Sequence, residues 1–86
     1  MLEINSHPRF DRHYKKLPKN IKAAARERER VFRETPFHPS LRTHKLHGKD
    51  TDMWAFWINQ KYRIKFVFVS PAHVLFLDIG THDLYA

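Results

Sequence analysis

The fold is decided by residues 54–68, which read Trp-Ala-Phe-Trp-Ile-Asn-Gln-Lys-Tyr-Arg-Ile-Lys-Phe-Val-Phe. Large apolar side chains recur at every second position on each side of Asn59-Gln60-Lys61, and this period of two is typical of half-buried β-strands. The three polar residues between the two runs are suited to a turn. The stretch therefore predicts two neighbouring antiparallel strands whose apolar side chains share one face of a sheet.

The same alternation assigns the other side chains of these strands to the opposite face. There the second strand carries two cations, Arg63 and Lys65. Two neighbouring cations on an exposed sheet face repel each other unless an anion lies between them, and arginine offers a planar fork of donors that fits phosphate. The alternative is an ordinary solvent-facing side of a sheet. We favour an anion-binding role for Arg63 and include Lys65 among the RNA-binding candidates.

Two helices are predicted upstream of these strands. Residues 2–5 alternate between apolar and polar, as a short first strand does. Ser6 is placed as an N-cap and Pro8 suits the first turn of a helix over about residues 7–17, which ends at Pro18. A second amphipathic helix is predicted from Lys19 to Glu34, and its charged run at residues 26–30 is interpreted as a solvated face.

A last, mostly buried strand is predicted over residues 74–79, after a turn at residues 70–73. The predicted order of elements is β-α-α-β-β-β. This order favours an α+β architecture in which a helical hairpin packs on one face of a largely antiparallel sheet.

The segment between the second helix and the aromatic strands, up to Asp52, shows no clear periodicity and is predicted to be a long basic loop. Long loops in small domains often carry function. Its five cationic or titratable residues are candidates for contacts with RNA: Arg42, His44, Lys45, His47 and Lys49. Lys45 is also a candidate for contact with the reacting phosphate. A metal site built on His44 and His47 is not expected, because the chain lacks cysteine and offers no third ligand at a fixed spacing.

Size and charge restrict the class of protein. Eighty-six residues, with 42% hydrophobic and 14% aromatic residues, are sufficient for one compact domain over residues 1–86. The net charge of +7 indicates a polyanionic partner, although a basic balance that serves solubility alone is the alternative. No apolar run is long enough to span a bilayer and the start lacks the pattern of a signal peptide. We expect a cytoplasmic protein with no membrane partner and no cofactor.

The end of the chain, Gly80-Thr81-His82-Asp83-Leu84-Tyr85, follows the last predicted strand. Histidine side chains in general titrate near neutral pH, so His82 is a candidate general acid or base, while Tyr85 can stack on a base or donate a hydrogen bond. Cleaving RNA without metal requires a base for the 2′-hydroxyl proton, cations for the charge on phosphorus and an acid for the leaving oxygen. Arg63, Lys45, His82 and Tyr85 are the residues predicted to divide these tasks.

The order of elements and five short segments together resemble the RelE/ParE superfamily of bacterial toxins. The segments are Lys15-Lys16-Leu17-Pro18, His44-Lys45-Leu46-His47-Gly48, Trp54-Ala55-Phe56-Trp57-Ile58, Tyr62-Arg63-Ile64-Lys65-Phe66 and Asp78-Ile79-Gly80-Thr81-His82-Asp83-Leu84-Tyr85. The resemblance implies a RelE-like fold and, in the nuclease branch, cleavage of mRNA in the ribosomal A site. The family's strand arginine falls on Arg63 and its terminal His or Tyr on His82 and Tyr85. The segment at residues 80–84 is similar to the end of the YafQ-like toxins, in which the histidine is catalytic.

The resemblance also implies partners: an acidic antitoxin, the ribosome and mRNA, with a homodimer or a toxin–antitoxin hetero-oligomer as the assembly. Two other functions remain open from the sequence. One is inhibition of DNA gyrase, as in the ParE-like branch, which shares the fold without the nuclease residues. The other is a non-catalytic basic module, such as a decayed toxin, that binds RNA or a protein.

Overall fold

The structure is a computed structural model that describes residues 1–48, 52–81 and 83. Its elements are β1 (Glu3–Ser6), α1 (Pro8–Lys15), α2 (Lys19–Glu34), a 3-10 turn (Pro39–Leu41), β2 (His44–Lys45), β3 (Trp54–Trp57), β4 (Tyr62–Ser70) and β5 (His73–Thr81). The strands form one sheet in the order β1-β5-β4-β3-β2. β1 is parallel to β5 and the other neighbouring pairs are antiparallel. The predicted α+β class is confirmed, and the elements follow the predicted order with one additional strand, β2. None of the described helices is long and apolar enough to cross a membrane.

The β3–β4 pair forms as the alternation predicts. Trp54 lies opposite Phe66 and Phe56 opposite Ile64, so the apolar sets of the two strands share a face. The side chain of Asn59 closes the turn between them, because its Oδ1 accepts the backbone N–H of Lys61 at 2.9 Å and of Tyr62 at 2.8 Å. This short-range cap determines the register of the pair and therefore which side chains reach the core.

The core lies between this face and the two helices, and Phe32 of α2 is at its centre. The Phe32 ring is 0% exposed, and its centroid lies 4.5 Å from that of Phe56, 4.8 Å from that of Phe66 and 5.8 Å from that of Phe76. From the helices, Phe10 and Ala25 complete the same cluster. One aromatic side chain of α2 thus contacts three strands of the sheet, which holds the helix against it.

Helix α2 has the predicted bounds, whereas α1 is shorter than predicted and begins differently. Its N-cap is His7, whose Nδ1 accepts the backbone N–H of Arg9 at 3.0 Å. Ser6, the predicted cap, is the last residue of β1 and bonds instead to the carboxylate of Asp11 at 2.6 Å. The prediction was wrong because the helix begins at Pro8 rather than at His7, so the residue directly before it, His7, is the cap.

The basic segment after α2 is not a structureless loop over its described part. It contains the 3-10 turn, a left-handed residue at Arg42 (φ 51°) and the two-residue strand β2 at the edge of the sheet. His44 and Lys45 pair with Ala55 and Trp54. A strand of two residues has no period that a sequence can display, so its formation depends on the edge that β3 offers.

A bulge in β5 sets the face on which the end of this strand lies. Lys65 pairs with Asp78, but the next residue, Phe66, pairs with Phe76, so one extra residue is inserted in β5. As a result Phe76 and Ile79, three residues apart, are both buried in the core. Asp78 and Gly80 then lie beside Lys65 and Arg63, on the face of the sheet opposite the buried core, which we call the outer face.

Replacing Phe32 by Ala is expected to lower the free energy of unfolding by about 3–5 kcal/mol, since it leaves a cavity between α2 and three strands. Urea denaturation followed by circular dichroism measures this. The matched control is Phe37→Ala, which removes a ring that is 57% exposed. An equal loss in both variants would contradict the central role of Phe32.

Candidate anion-binding site on the outer face

A row of residues crosses four chain segments on the outer face. Trp57 of β3 pairs with Arg63 of β4, and Arg63 pairs with Gly80 of β5. On the other side, His44 pairs with Ala55, and this register places Arg42, two residues earlier, beside Trp57. Gly80 has no side chain, so β5 places no competing group beside Arg63 at this position.

Both arginines of this row stack on the indole between them. The guanidinium carbon of Arg63 lies 3.8 Å from the centroid of the Trp57 ring and that of Arg42 lies 4.5 Å from it. Because β3 lies between β2 and β4 in the sheet, the two arginines approach the indole from opposite sides. The indole π-face attracts each cation, which holds two positive charges closer than they would otherwise lie.

Arg63 is buried, with only 7% of its surface exposed. Among the residues that the structure describes, it is the only charged one that is buried. Its Nη1 donates to the backbone carbonyl oxygens of Asn59 at 2.6 Å and Tyr62 at 3.1 Å. The carbonyls of the β3–β4 turn therefore anchor one end of the guanidinium while Trp57 covers its face. The expectation that Arg63 lies on an exposed sheet side is thus corrected, because the neighbouring indole shields it.

A buried guanidinium is costly unless its charge and donors are matched. Within the described residues no carboxylate forms an ion pair with Arg63, and its Nε and Nη2 have no acceptor there. These N–H groups point to the kind of ligand that suits the site. An anion with several oxygens, such as a phosphodiester, would supply both the charge and the acceptors.

Lys65 and His44 lie in the next row of the same face, His44-Ala55-Lys65-Asp78. Lys65 is half-buried, and the paired position on β5 holds the carboxylate of Asp78 rather than a gap for an anion. Asp78 in turn lies 2.5 Å from Nδ1 of His13 on α1. The exposed His44 has its Nδ1 2.8 Å from the carbonyl oxygen of Arg42, where it can donate. Lys65 is therefore next to the arginine row but shares its surroundings with an acid.

Two further predicted site residues that the structure describes, Lys45 and His47, are not brought to this row. Lys45 pairs with Trp54, whose partner Phe66 is in the core, so Lys45 points from the edge strand toward the helix side of the sheet. His47 is exposed beyond the end of β2. Lys49, His82 and Tyr85 lie outside the described residues. The structure thus brings together Arg42, His44, Arg63 and Lys65, and separates Lys45 from them.

Trp57 is the residue of this site that sequence reasoning missed. The alternation placed it correctly on the outer face, but gave it no role. The signal that could have found it is the cross-strand register: an aromatic residue directly opposite an arginine in a non-core row is a stacking partner. That register becomes visible only once the Asn59 turn is recognised as the element that sets it.

Comparison with known proteins bears on the fold. No protein-family profile matches this chain, and no curated protein sequence matches it.

Solved structures do match over the whole length. A copper-bound mutant toxin from Helicobacter pylori superposes with a TM-score of 0.79 at 22% identity, covering 100% of both chains. YafQ from E. coli superposes with a TM-score of 0.78 at 12% identity, covering 98% of this chain and 97% of that chain. YoeB in the YoeB–YefM complex from Staphylococcus aureus gives 0.75 at 19% identity, covering 95% of this chain and 98% of that chain. The chain therefore has the RelE-like toxin fold that the sequence resemblance implied.

Arg63→Met is expected to leave the thermal midpoint unchanged or to raise it, because it replaces a buried, unmatched charge by an apolar chain of similar length. Inorganic phosphate, compared with chloride at equal ionic strength, should raise the midpoint of the original protein by several degrees, since tenfold excess over Kd contributes about 1.4 kcal/mol.

The Arg63→Met protein should not respond to phosphate, and Arg12→Met, a change at an exposed position of α1, should respond like the original. A phosphate shift that survives in Arg63→Met would locate the anion elsewhere.

Proposed function

We propose that this protein is the toxin of a toxin–antitoxin pair and that it cleaves mRNA on the ribosome as a metal-independent endoribonuclease. The observation that carries the proposal is Arg63, a buried guanidinium anchored at one end by backbone carbonyls and covered by Trp57. A cation held in advance, with donors left over, is what stabilises charge that develops on a phosphate in a transition state. The RelE-like fold supports the same function by analogy.

In the proposed reaction the 2′-oxygen of a nucleotide attacks the adjacent phosphorus and the bond from phosphorus to the 5′-oxygen breaks. The products are a 2′,3′-cyclic phosphate, or the 3′-phosphate after its hydrolysis, and a 5′-hydroxyl. Arg63 would neutralise the negative charge on the non-bridging oxygens as the pentavalent phosphorus forms. The proton of the 2′-hydroxyl goes to a general base and the 5′-oxygen receives a proton from a general acid.

His82 and Tyr85 are proposed for the proton transfers and for holding the nucleotide. His82 follows Gly80 by two residues in the sequence, and Gly80 is the partner of Arg63 in the sheet. Lys45 is proposed as an additional phosphate contact. Since it starts from the helix side of the edge strand, its long side chain would have to reach around β2.

The charge balance supports a polyanionic substrate and an acidic antitoxin, since the chain carries a net charge of +7. A groove of about 540 Å³ between α1 and α2 is a surface on which an antitoxin segment could dock. Phe10 and Ala25 line it together with three arginines and three carboxylates: Arg26, Arg30, Arg33, Asp11, Glu29 and Glu34. Arg26 donates from Nε to the hydroxyl of Tyr14 at 2.8 Å, which raises the pKa of Arg26 and keeps this part of the rim cationic.

Induced expression in bacteria is expected to arrest growth and to produce new mRNA 5′ ends that are in phase with codons. Arg63→Ala should abolish both effects, because loss of one pre-arranged donor to the transition state costs on the order of 100- to 1,000-fold in rate. Arg63→Lys should retain little activity, since lysine cannot reproduce the fork. Arg12→Ala, at an exposed position on α1, is the control and should behave as the original protein. The measurement is sequencing of mRNA 5′ ends, with protein levels checked by immunoblot.

Three outcomes would contradict parts of the proposal. Growth arrest without new 5′ ends would remove the nuclease and direct attention to inhibition of gyrase, measured as loss of supercoiling. Absence of arrest with well-expressed protein would favour a non-catalytic binding module. Cleavage that persists in Arg63→Ala would keep the nuclease but assign its phosphate site to other residues.

A further inference from the structure

The indole of Trp57 is flanked by two arginines in very different states. Arg63 is buried and is held by two backbone carbonyls in addition to the ring. Arg42 is exposed, and no ion pair involves its guanidinium within the described residues. The Arg63 side of the indole is therefore fixed, while the Arg42 side is covered by a group with little else to hold it.

The contact that holds Arg42 is weak compared with the one that could replace it. A cation–π contact at an exposed site changes an equilibrium by about two- to fivefold. Stacking of a nucleobase on an aromatic side chain changes binding by about 5- to 150-fold. A base that reaches this face of Trp57 would therefore displace the Arg42 guanidinium from the ring.

The position of Trp57 suits a nucleotide, which combines a planar ring with a phosphate. The indole lies one strand away from Arg63, whose Nε and Nη2 have no acceptor within the described chain. A base stacked on the Arg42 side of the indole would bring its own backbone close to both arginines. A free phosphate offers only the anionic part of this arrangement.

We propose that Trp57 is a stacking site for one nucleobase of single-stranded RNA and that Arg42 is its displaceable cover. Arg42 occupies the ring in the free protein and leaves it when the base enters. The proposal rests on the proposed function in so far as RNA is the ligand. Because every base has a π-face, this site would position the nucleotide beside Arg63 without selecting its identity.

A role of Trp57 in merely positioning Arg63 is the alternative, and a pair of probes separates the two. The first probe is a fluorescein-labelled hexamer of 2′-deoxyuridine, which lacks the attacking 2′-hydroxyl and cannot be cleaved by the proposed reaction. The second is the same backbone with an abasic tetrahydrofuran in place of each nucleoside. Binding of both to the full chain is measured by fluorescence anisotropy at the same low salt concentration.

Trp57→Ala is expected to weaken binding of the deoxyuridine hexamer by about 5- to 150-fold and to change binding of the abasic hexamer by less than about twofold. Trp57→Phe, which keeps an aromatic face, should recover most of the loss and protects the test against a misfolded Trp57→Ala protein. Phe37→Ala removes an exposed ring that lies against Trp54 and Phe68, and is the matched control with no expected effect.

Arg42→Ala tests the cover. The loss of one cation should weaken binding of both hexamers. The ratio of their affinities should nevertheless shift in favour of the deoxyuridine hexamer by about two- to fivefold, because the indole face is then open. An unchanged or reversed ratio of the two affinities would show that Arg42 does not compete with the base for the indole face. Equal weakening of both probes in Trp57→Ala would show that the indole only positions Arg63, and no change in either would show that it takes no part in binding.

Failure of this proposal can be told apart from failure of the nuclease assignment. The binding assay uses uncleavable probes and does not depend on activity. If Arg63→Ala leaves mRNA cleavage intact while the probe ratios are as expected, the stacking site stands and the catalytic role of Arg63 does not. If Arg63→Ala abolishes cleavage while Trp57→Ala binds the probes unchanged, the nuclease stands and the stacking site is wrong.

Discussion

The register of β3 against β4 is the constraint on which the rest of this structure depends. It is set locally, because Asn59 caps the turn with two hydrogen bonds from its side chain. A slip by one residue would turn one strand over relative to the other and carry either Phe56 or Phe66 out of the core. The same slip would also move Arg63 away from Trp57. One turn residue therefore supports both the packed face and the candidate site.

The two faces of the sheet have different physical tasks. On the helix side, stacked aromatic rings around Phe32 remove apolar surface from water and hold α2 in place. On the outer face, the structure buries a charged Arg63 without a carboxylate partner in the described chain. An arrangement of this kind reduces stability, and such costs are commonly found where a protein holds a group ready for a ligand. The turn carbonyls and the indole of Trp57 keep that group in place.

The fold is shared with toxins of known structure at identities of only 12% to 22% over essentially complete chains. At that distance the fold is retained because many sequences satisfy the same pattern of buried positions, turn and bulge. The fold itself does not specify the chemistry, which depends on the side chains that this chain places on its outer face. The Arg42–Trp57–Arg63 row, and the acid Asp78 opposite Lys65, define the chemistry that its version of the fold can offer.

Sequence alone determined the element types, the bounds of α2 and the division of residues 54–68 between two faces, because these depend on local periodicity and turn chemistry. It also placed Arg63 and Lys65 on the face away from the helices. Only the tertiary structure decided that β2 forms at the sheet edge, that β5 contains a bulge, and that Arg63 is buried beneath Trp57 while Lys45 faces the other way. These features depend on contacts between segments distant in the chain, and their free energies arise only when the strands are side by side. No local pattern encodes them, since a two-residue strand and a single inserted residue have no period.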